Sequence, residues 1–388
     1  PTDGATAEAG AVDQSATQQT TDVGDIVVTA TRRNEALSDV PLAVSAVTAQ
    51  TLENSGISDI RQLTQVSPSL LVSSTSSEAG AGVARIRGIG TVGDNPGLES
   101  SVAVFIDGVY RSRTGTGLTE LGQLERVELG ATGGLSESFA IRADAVYLKR
   151  DGFLTDTISG RDVNDRDRYL VRLQGLYRPN DNFSFRLIGD YSKRDEECCA
   201  ATYLRARNYS LVGGNVVEQP STIAALERAL GATINDDTFA RRVSITPGRD
   251  YRQDVKDWGV SGEVVYDFGG AELTSITAYR YNDYVRGQDA DFNNLDILYR
   301  AGDGGAFNRF KTFTQEVRLQ GSAFSDRLDW LVGGYFANEK LRVVDNLRYG
   351  ADFERYANCL LFSSVLPAAV QPTPTGNCVN STVLAGAQ

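Results

Sequence analysis

From Gly134 to about residue 343, apolar and polar side chains alternate in segments of about ten residues, the period of a strand with two unlike faces. In the first segment Phe139, Ile141, Ala143, Ala145 and Tyr147 share one face, and Ser138, Arg142 and Asp144 the other. Tyr169, Val171, Leu173 and Tyr177 then oppose Arg168, Arg172 and Gln174, and Phe183, Phe185, Leu187 and Tyr191 oppose Ser184, Arg186 and Asp190. A fourth segment sets Trp258, Val260, Val264, Tyr266 and Phe268 against Ser261, Glu263 and Asp267. Weaker copies run over 271–284, 310–320 and 328–343, for about seven strands in all. Soluble β-sandwiches alternate in the same way, so the period alone leaves two architectures open. The connections separate them. Arg178–Asn182, Gly269–Gly270 and Ser322–Arg327 are short, whereas 151–165, 195–254, 286–309 and the stretch from 344 are long. Short turns at one end, long loops at the other and aromatic residues near the segment ends are the pattern of an outer-membrane barrel.

The chain before this region has a different texture. Residues 1–24 hold almost no large apolar side chain, so they cannot bury a core and are expected to be a disordered leader. Asp25-Ile26-Val27-Val28-Thr29-Ala30 follows as a short extended segment. It reads either as an ordinary first strand or as a strand offered to another protein by β-augmentation. Short helices are expected within Ser45–Ser55 and from Ser58, capped by Ser58 or Asp59. Val83–Gly90, Val102–Tyr110 with a turn at Asp107-Gly108, and Leu124–Glu128 read as strands of a small α+β domain.

Composition narrows the chemistry. A net charge of -12 argues against nucleic acid. No run approaches the roughly 20 apolar residues of a transmembrane helix. Histidine is absent, which excludes a Ser-His-Asp triad and any histidine metal site. The four cysteines, Cys198, Cys199, Cys359 and Cys378, lack zinc-site spacing. They read as disulfide candidates, with free thiols the alternative. The chain opens on proline and has no methionine, which fits a processed precursor or an excised fragment. Neither a cofactor nor a metal is expected.

Several landmarks now resemble one family, the TonB-dependent receptors of the bacterial outer membrane. Asp25 to Ala30 with Thr31-Arg32-Arg33 resembles the TonB box and its flank. Val40–Val44, Arg85-Ile86-Arg87-Gly88, Phe105–Tyr110 and Leu124–Glu128 resemble successive landmarks of the plug domain. Arg150–Phe153, Asn164–Asp167 and Thr314–Leu319 resemble barrel segments. The fold implied is a small α+β plug followed by part of a transmembrane antiparallel β-barrel. Its divisions are a leader over 1–24, box and flank over 25–33, plug over 34–129 and partial barrel with long extracellular loops over 130–388. Two departures stand out. The plug's glycine-rich ending and the first barrel strands are expected to be missing near Leu129, and such barrels have about 22 strands. A truncated or internally deleted receptor is the expectation.

The resemblance implies active uptake of a scarce, bulky nutrient, a ferric siderophore first among candidates, with the box captured by the inner-membrane TonB complex. The N-terminus is expected in the periplasm and the barrel in lipid and lipopolysaccharide. Arg85, Arg87 and Arg126 are candidates to latch the plug to a barrel carboxylate such as Glu316; solvation or local pairing is the alternative. In the 195–254 loop Tyr203, Arg205, Arg207, Tyr209, Arg241 and Arg242 are candidate contacts to an anionic, aromatic ligand. A solvated loop, or one salted to lipopolysaccharide, explains them as well. Ile223, Leu226 and Leu230 at helical spacing predict a short helix packed within that loop. A passive porin and a ligand-sensing module are the rival readings; an enzyme comes last.

Overall fold

The computed structural model describes residues 27–28, 35–36, 40, 44–57, 60–74, 82–91, 98, 100–111, 126–197, 199–325 and 327–365. The chain divides into two compact units, 1–57 and 58–388. In the first, β1 (Val27–Val28) pairs antiparallel with β2 (Glu35–Ala36), and a helix spans Ala49–Asn54. The remaining residues of the expected box, Asp25, Ile26, Thr29 and Ala30, lie outside the described residues.

The second unit begins with a 3-10 turn, Ile60–Gln65, and two hairpins: β3 (Leu70–Ser74) with β4 (Gly82–Ile86), and β5 (Val104–Ile106) with β6 (Val109–Arg111). The large sheet follows. Its strands are β7 (Arg126–Ser136), β8 (Phe139–Arg150), β11 (Arg166–Asn180), β12 (Phe183–Glu196), β16 (Gln253–Asp267), β17 (Ala271–Val285), β20 (Ala306–Ala323) and β21 (Leu328–Asp345). They form one antiparallel meander, each strand beside its neighbours in the sequence. β7 corrects an expectation. From Arg126 onward the strand foreseen over Leu124–Glu128 in the small domain belongs to the large sheet, pairing from Arg126↔Leu148 to Ser136↔Phe139. Residues 130–134 are mostly Gly and Ala, so little bulk opposes an unbroken ladder, and that ladder outweighs a separate packing.

Register carries the apolar face across the sheet. Tyr147 stands opposite Tyr169, Tyr191 opposite Trp258, and Trp258 opposite Tyr281. Ring centroids lie 5.9 Å apart for Tyr169–Tyr191 and 5.8 Å for Trp258–Tyr281. A second aromatic band sits at the short-turn end, where Phe183 meets Tyr177 and Tyr266 at 6.4 Å each. On β11, β12 and β16 the bands are eight residues apart: Tyr169 to Tyr177, Phe183 to Tyr191, Trp258 to Tyr266. At about 3.3 Å per residue that is about 26 Å along the strand, close to the height of the apolar belt of an outer-membrane barrel. The strands run on past the belt at the long-loop end.

There the loops fold into a cap. β9 (Leu154–Asp156) pairs with β10 (Asp162–Val163) and with β15 (Arg242–Val243), joining the 151–165 loop to the 195–254 loop. β13 (Arg207–Val212) and β14 (Asn215–Pro220) form a projecting hairpin. β18 (Gln288–Asp289), β19 (Leu298–Arg300) and β22 (Arg348–Tyr349) join the next two loops. The predicted loop helix is Thr222–Leu230, capped by the Ser221 hydroxyl on the Ala224 N–H. Leu230 packs with Ala232, Leu295, Ile297 and Cys359, the last from a helix spanning Phe353–Val365. A second cluster holds Leu154, Val163, Val243, Ile245 and Tyr251. The long loops are thus a packed layer with cores of their own.

Candidate functional site

The polar face of the sheet carries a network of charges. Arg172 on β11 stands opposite Asp190 on β12, which stands opposite Gly259 on β16, which stands opposite Arg280 on β17. Gly259 is what lets Arg280 reach across: a Cβ there would come within 2.5 Å of the guanidinium. Arg280 donates to both oxygens of Asp190 (2.9 and 2.7 Å) and to Asp257. Asn282 donates to the other oxygen of Asp257 at 3.0 Å. On the neighbouring row Arg186 pairs with Glu263 at 3.3 Å.

Against this face lies the β5–β6 hairpin. Asp107 and Gly108 both take positive φ, 52° and 76°, as a two-residue hairpin turn requires. The Asp107 carboxylate receives Arg172, and Arg186 approaches its other oxygen at 3.9 Å. Val109 packs on Ile276 and Ala278 of β17. A Cβ on Gly108 would lie 2.9 Å from the Ile276 Cδ1, so the turn touches the wall through its bare backbone. Arg111 closes the hairpin, 9% exposed, beside a small cavity that Asp257, Arg280 and Asn282 also line. Its Nε is buried without a hydrogen-bond partner. Arg111, Arg172, Arg186 and Arg280 thus face Asp107, Asp190, Asp257 and Glu263, four cations to four anions. Such a seam resists separation, because removing one partner strands another partly buried charge. It holds an element in place.

The residues singled out from sequence fall elsewhere. Glu316 is buried on β20 and ion-paired to Arg318 of its own strand at 3.0 Å. Arg85 is half-buried on β4 and Arg87 exposed in the turn after it. Arg126 is on the wall itself, in β7. The seam between hairpin and wall is made instead by Asp107, whose turn was foreseen but whose partners were not. In the cap, the Tyr203 hydroxyl donates to Glu227 at 3.1 Å, and burial together with the Glu227 charge pushes its pKa up. Arg207 pairs with Glu218 at 2.9 Å. Arg205, Tyr209, Arg241 and Arg242 are exposed. Cys199 and Cys359 are both disulfide-bonded. Cys198 and Cys378 lie outside the described residues.

Comparison with known proteins bears on this arrangement. Residues 36–140 match the TonB-dependent Receptor Plug Domain family. The structure resembles that of the ferric yersiniabactin uptake receptor FyuA from Yersinia pestis, with a TM-score of 0.56 and 15% identity over 76% of this chain and 48% of that one. FpvAI in its complex with pyocin S2 gives a TM-score of 0.40 and 13% identity over 83% of this chain and 56% of that one, too loose to bear on the fold. The chain therefore spans about half the length of the two chains it matches. The front of the chain thus matches the plug domain of TonB-dependent receptors, and the chain shares the fold of one such uptake receptor over about half of that receptor's length.

Proposed function

We propose that the protein serves TonB-energised uptake of a scarce, bulky nutrient, a ferric chelate of the siderophore kind. The observation that carries this reading is the charged seam: an element of the plug is tied to the wall by bonds that are strong together but can be broken one at a time. A passive pore has no use for such a fastening. FyuA, whose fold the chain resembles, is a ferric yersiniabactin uptake receptor, which supports the same substrate class.

On this reading residues 1–24 are a periplasmic leader, 25–30 the segment that the TonB complex captures as an added strand, and 34–125, up to the start of β7, the plug. Among the described residues the β1–β2 ladder joins Val27–Val28 to Glu35–Ala36, which supports an extended conformation that a new partner strand could take over. Ligand contact falls to Arg205, Tyr209, Arg241 and Arg242, since Arg207 and Tyr203 already have partners within the cap. The rival is a barrel that binds or senses ligand without importing it. Deleting residues 25–30 and measuring ligand binding and uptake separately distinguishes the two. Binding should survive while uptake vanishes; uptake at the parent rate overturns the proposal.

A further inference from the structure

The seam is even in charge but uneven in bonding. Arg172 and Arg186 take Asp107 and Glu263. Arg280 alone occupies both oxygens of Asp190 and, together with Asn282, both oxygens of Asp257. Arg111 is left beside two carboxylates whose oxygens are already engaged. It is buried, and its Nε has no hydrogen-bond partner among the described residues. Burial pulls its pKa below the ordinary arginine value in spite of the nearby Asp257 and Asp190 charges. A buried cation so placed lacks the bonded counter-charge that would offset its desolvation.

A second observation is the space beside it. With Asp257, Arg280, Asn282 and Thr312, Arg111 lines a cavity of about 20 Å³ between hairpin and wall, room for about one water-sized occupant. Asn282 and Thr312 are both buried. Asn282 spends one amide hydrogen on Asp257 and has a second to give. Thr312 stands directly opposite Arg280 in the register, and its hydroxyl reaches Glu339 only at 3.5 Å, the outer limit of a hydrogen bond. Donors therefore outnumber acceptors around the cavity: two guanidiniums, an amide and a hydroxyl against one carboxylate. We propose that Arg111, Arg280, Asn282 and Thr312 bind one monatomic anion of the halide class between the hairpin and the wall. A water would satisfy the donors but leave the Arg111 charge without a bonded partner, and a carboxylate or phosphate is too large for the space. Three of the four ligands belong to the wall and one to the hairpin, so the bound ion is a fastener in its own right. Release of the hairpin then requires loss of the ion, and halide in solution opposes release by mass action. The site rests on the geometry of the seam and holds whatever nutrient the protein serves.

The test follows amide exchange in the β5–β6 hairpin of the full chain folded in detergent. Chloride is replaced at constant ionic strength by gluconate, which is too large for the cavity. Chloride should slow exchange in a saturable way, about tenfold once it reaches about ten times its Kd, and Arg111→Gln should abolish that dependence. Thr312→Val, which removes one donor from a wall strand, should weaken the response to chloride several-fold and keeps the test decisive if the Arg111 variant folds poorly. Crystals soaked in bromide should show an anomalous peak at Arg111. Exchange indifferent to the anion, a dependence that persists unchanged in both variants, or a cavity that holds only water would overturn the proposal.

Discussion

At the scale of single residues, Asp107 is where the hairpin is fastened. It receives Arg172 and lies near Arg186, each no more than about a third exposed. Charge-assisted bonds of this kind contribute about 1.5–3 kcal/mol, reduced here by partial solvation. In a double-mutant cycle of Asp107→Asn and Arg172→Gln, read by chemical unfolding of the plug, the two effects should fall short of additive. Strict additivity would mean that the pair fastens nothing. Gly108→Ala tests the same spot sterically. It puts a side chain on a left-handed residue and a Cβ 2.9 Å from Ile276 Cδ1; a loss of about 1–3 kcal/mol is expected, and Ile276→Val should restore part of it. A third residue-scale prediction concerns acid. Arg249 hydrogen-bonds Asp296 and holds its carboxyl below the usual 3.8. A depressed carboxyl lends stability above its unfolded pKa and loses it as pH falls through the folded one. The cap should therefore loosen below pH 3.8, seen as faster amide exchange at Gly350 and Ala351, and Arg249→Gln should flatten that dependence. Of these residues, sequence showed only the turn at Asp107-Gly108. Its partner Arg172 lies 65 positions away, and a pairing at that range depends on a sheet register that no local pattern encodes. Arg85 and Arg87 drew notice as arginines in a plug landmark, yet the turn geometry leaves Arg87 exposed.

At the scale of elements, what was legible was what repeats. From β8 onward each wall strand announced itself because one face is apolar and the other polar, and alternation records both; β7, mostly small residues over 130–134, did not. The observed strands exceed the predicted segments mainly at the loop end, where β20 and β21 reach 18 residues and the pattern blurs as each face mixes apolar and charged side chains. The helix at Thr222–Leu230 was readable for the same reason, through apolar side chains at helical spacing. The two- and three-residue strands of the cap were not, since a period cannot show in so short a run. The cap nevertheless has cores, and truncating one has a definite consequence. Ile297 is 2% exposed within the Leu230, Leu295 and Cys359 cluster. Ile297→Ala should cost about 2–5 kcal/mol of cap stability. Amide exchange should accelerate in Thr222–Leu230 and the helix starting at Phe353, while β16 and β17 stay protected. Equal acceleration in the wall would mean that cap and wall unfold as one.

At the scale of the whole molecule, the 58–388 unit is a wall with a fastened plug hairpin on its polar face and a folded layer at one end. The disulfides of Cys199 and Cys359 both belong to that layer, Cys359 within its core and Cys199 beside Gln253. Mild reduction should thus lower the melting temperature of the cap and leave the wall's far-ultraviolet strand signal in place. The meander has a further consequence. Every wall strand pairs only with its sequence neighbours, so a loop's length enters the energetics of the wall only through the entropy of closing that loop. Doubling the length adds only about 0.6 kcal/mol. The long segment between Glu196 at the end of β12 and Gln253 at the start of β16 is therefore held at little more cost than a loop half as long. Loops on such a scaffold can be lengthened, exchanged or grafted without shifting a single strand register, so that a change at the rim need not mean a change of architecture.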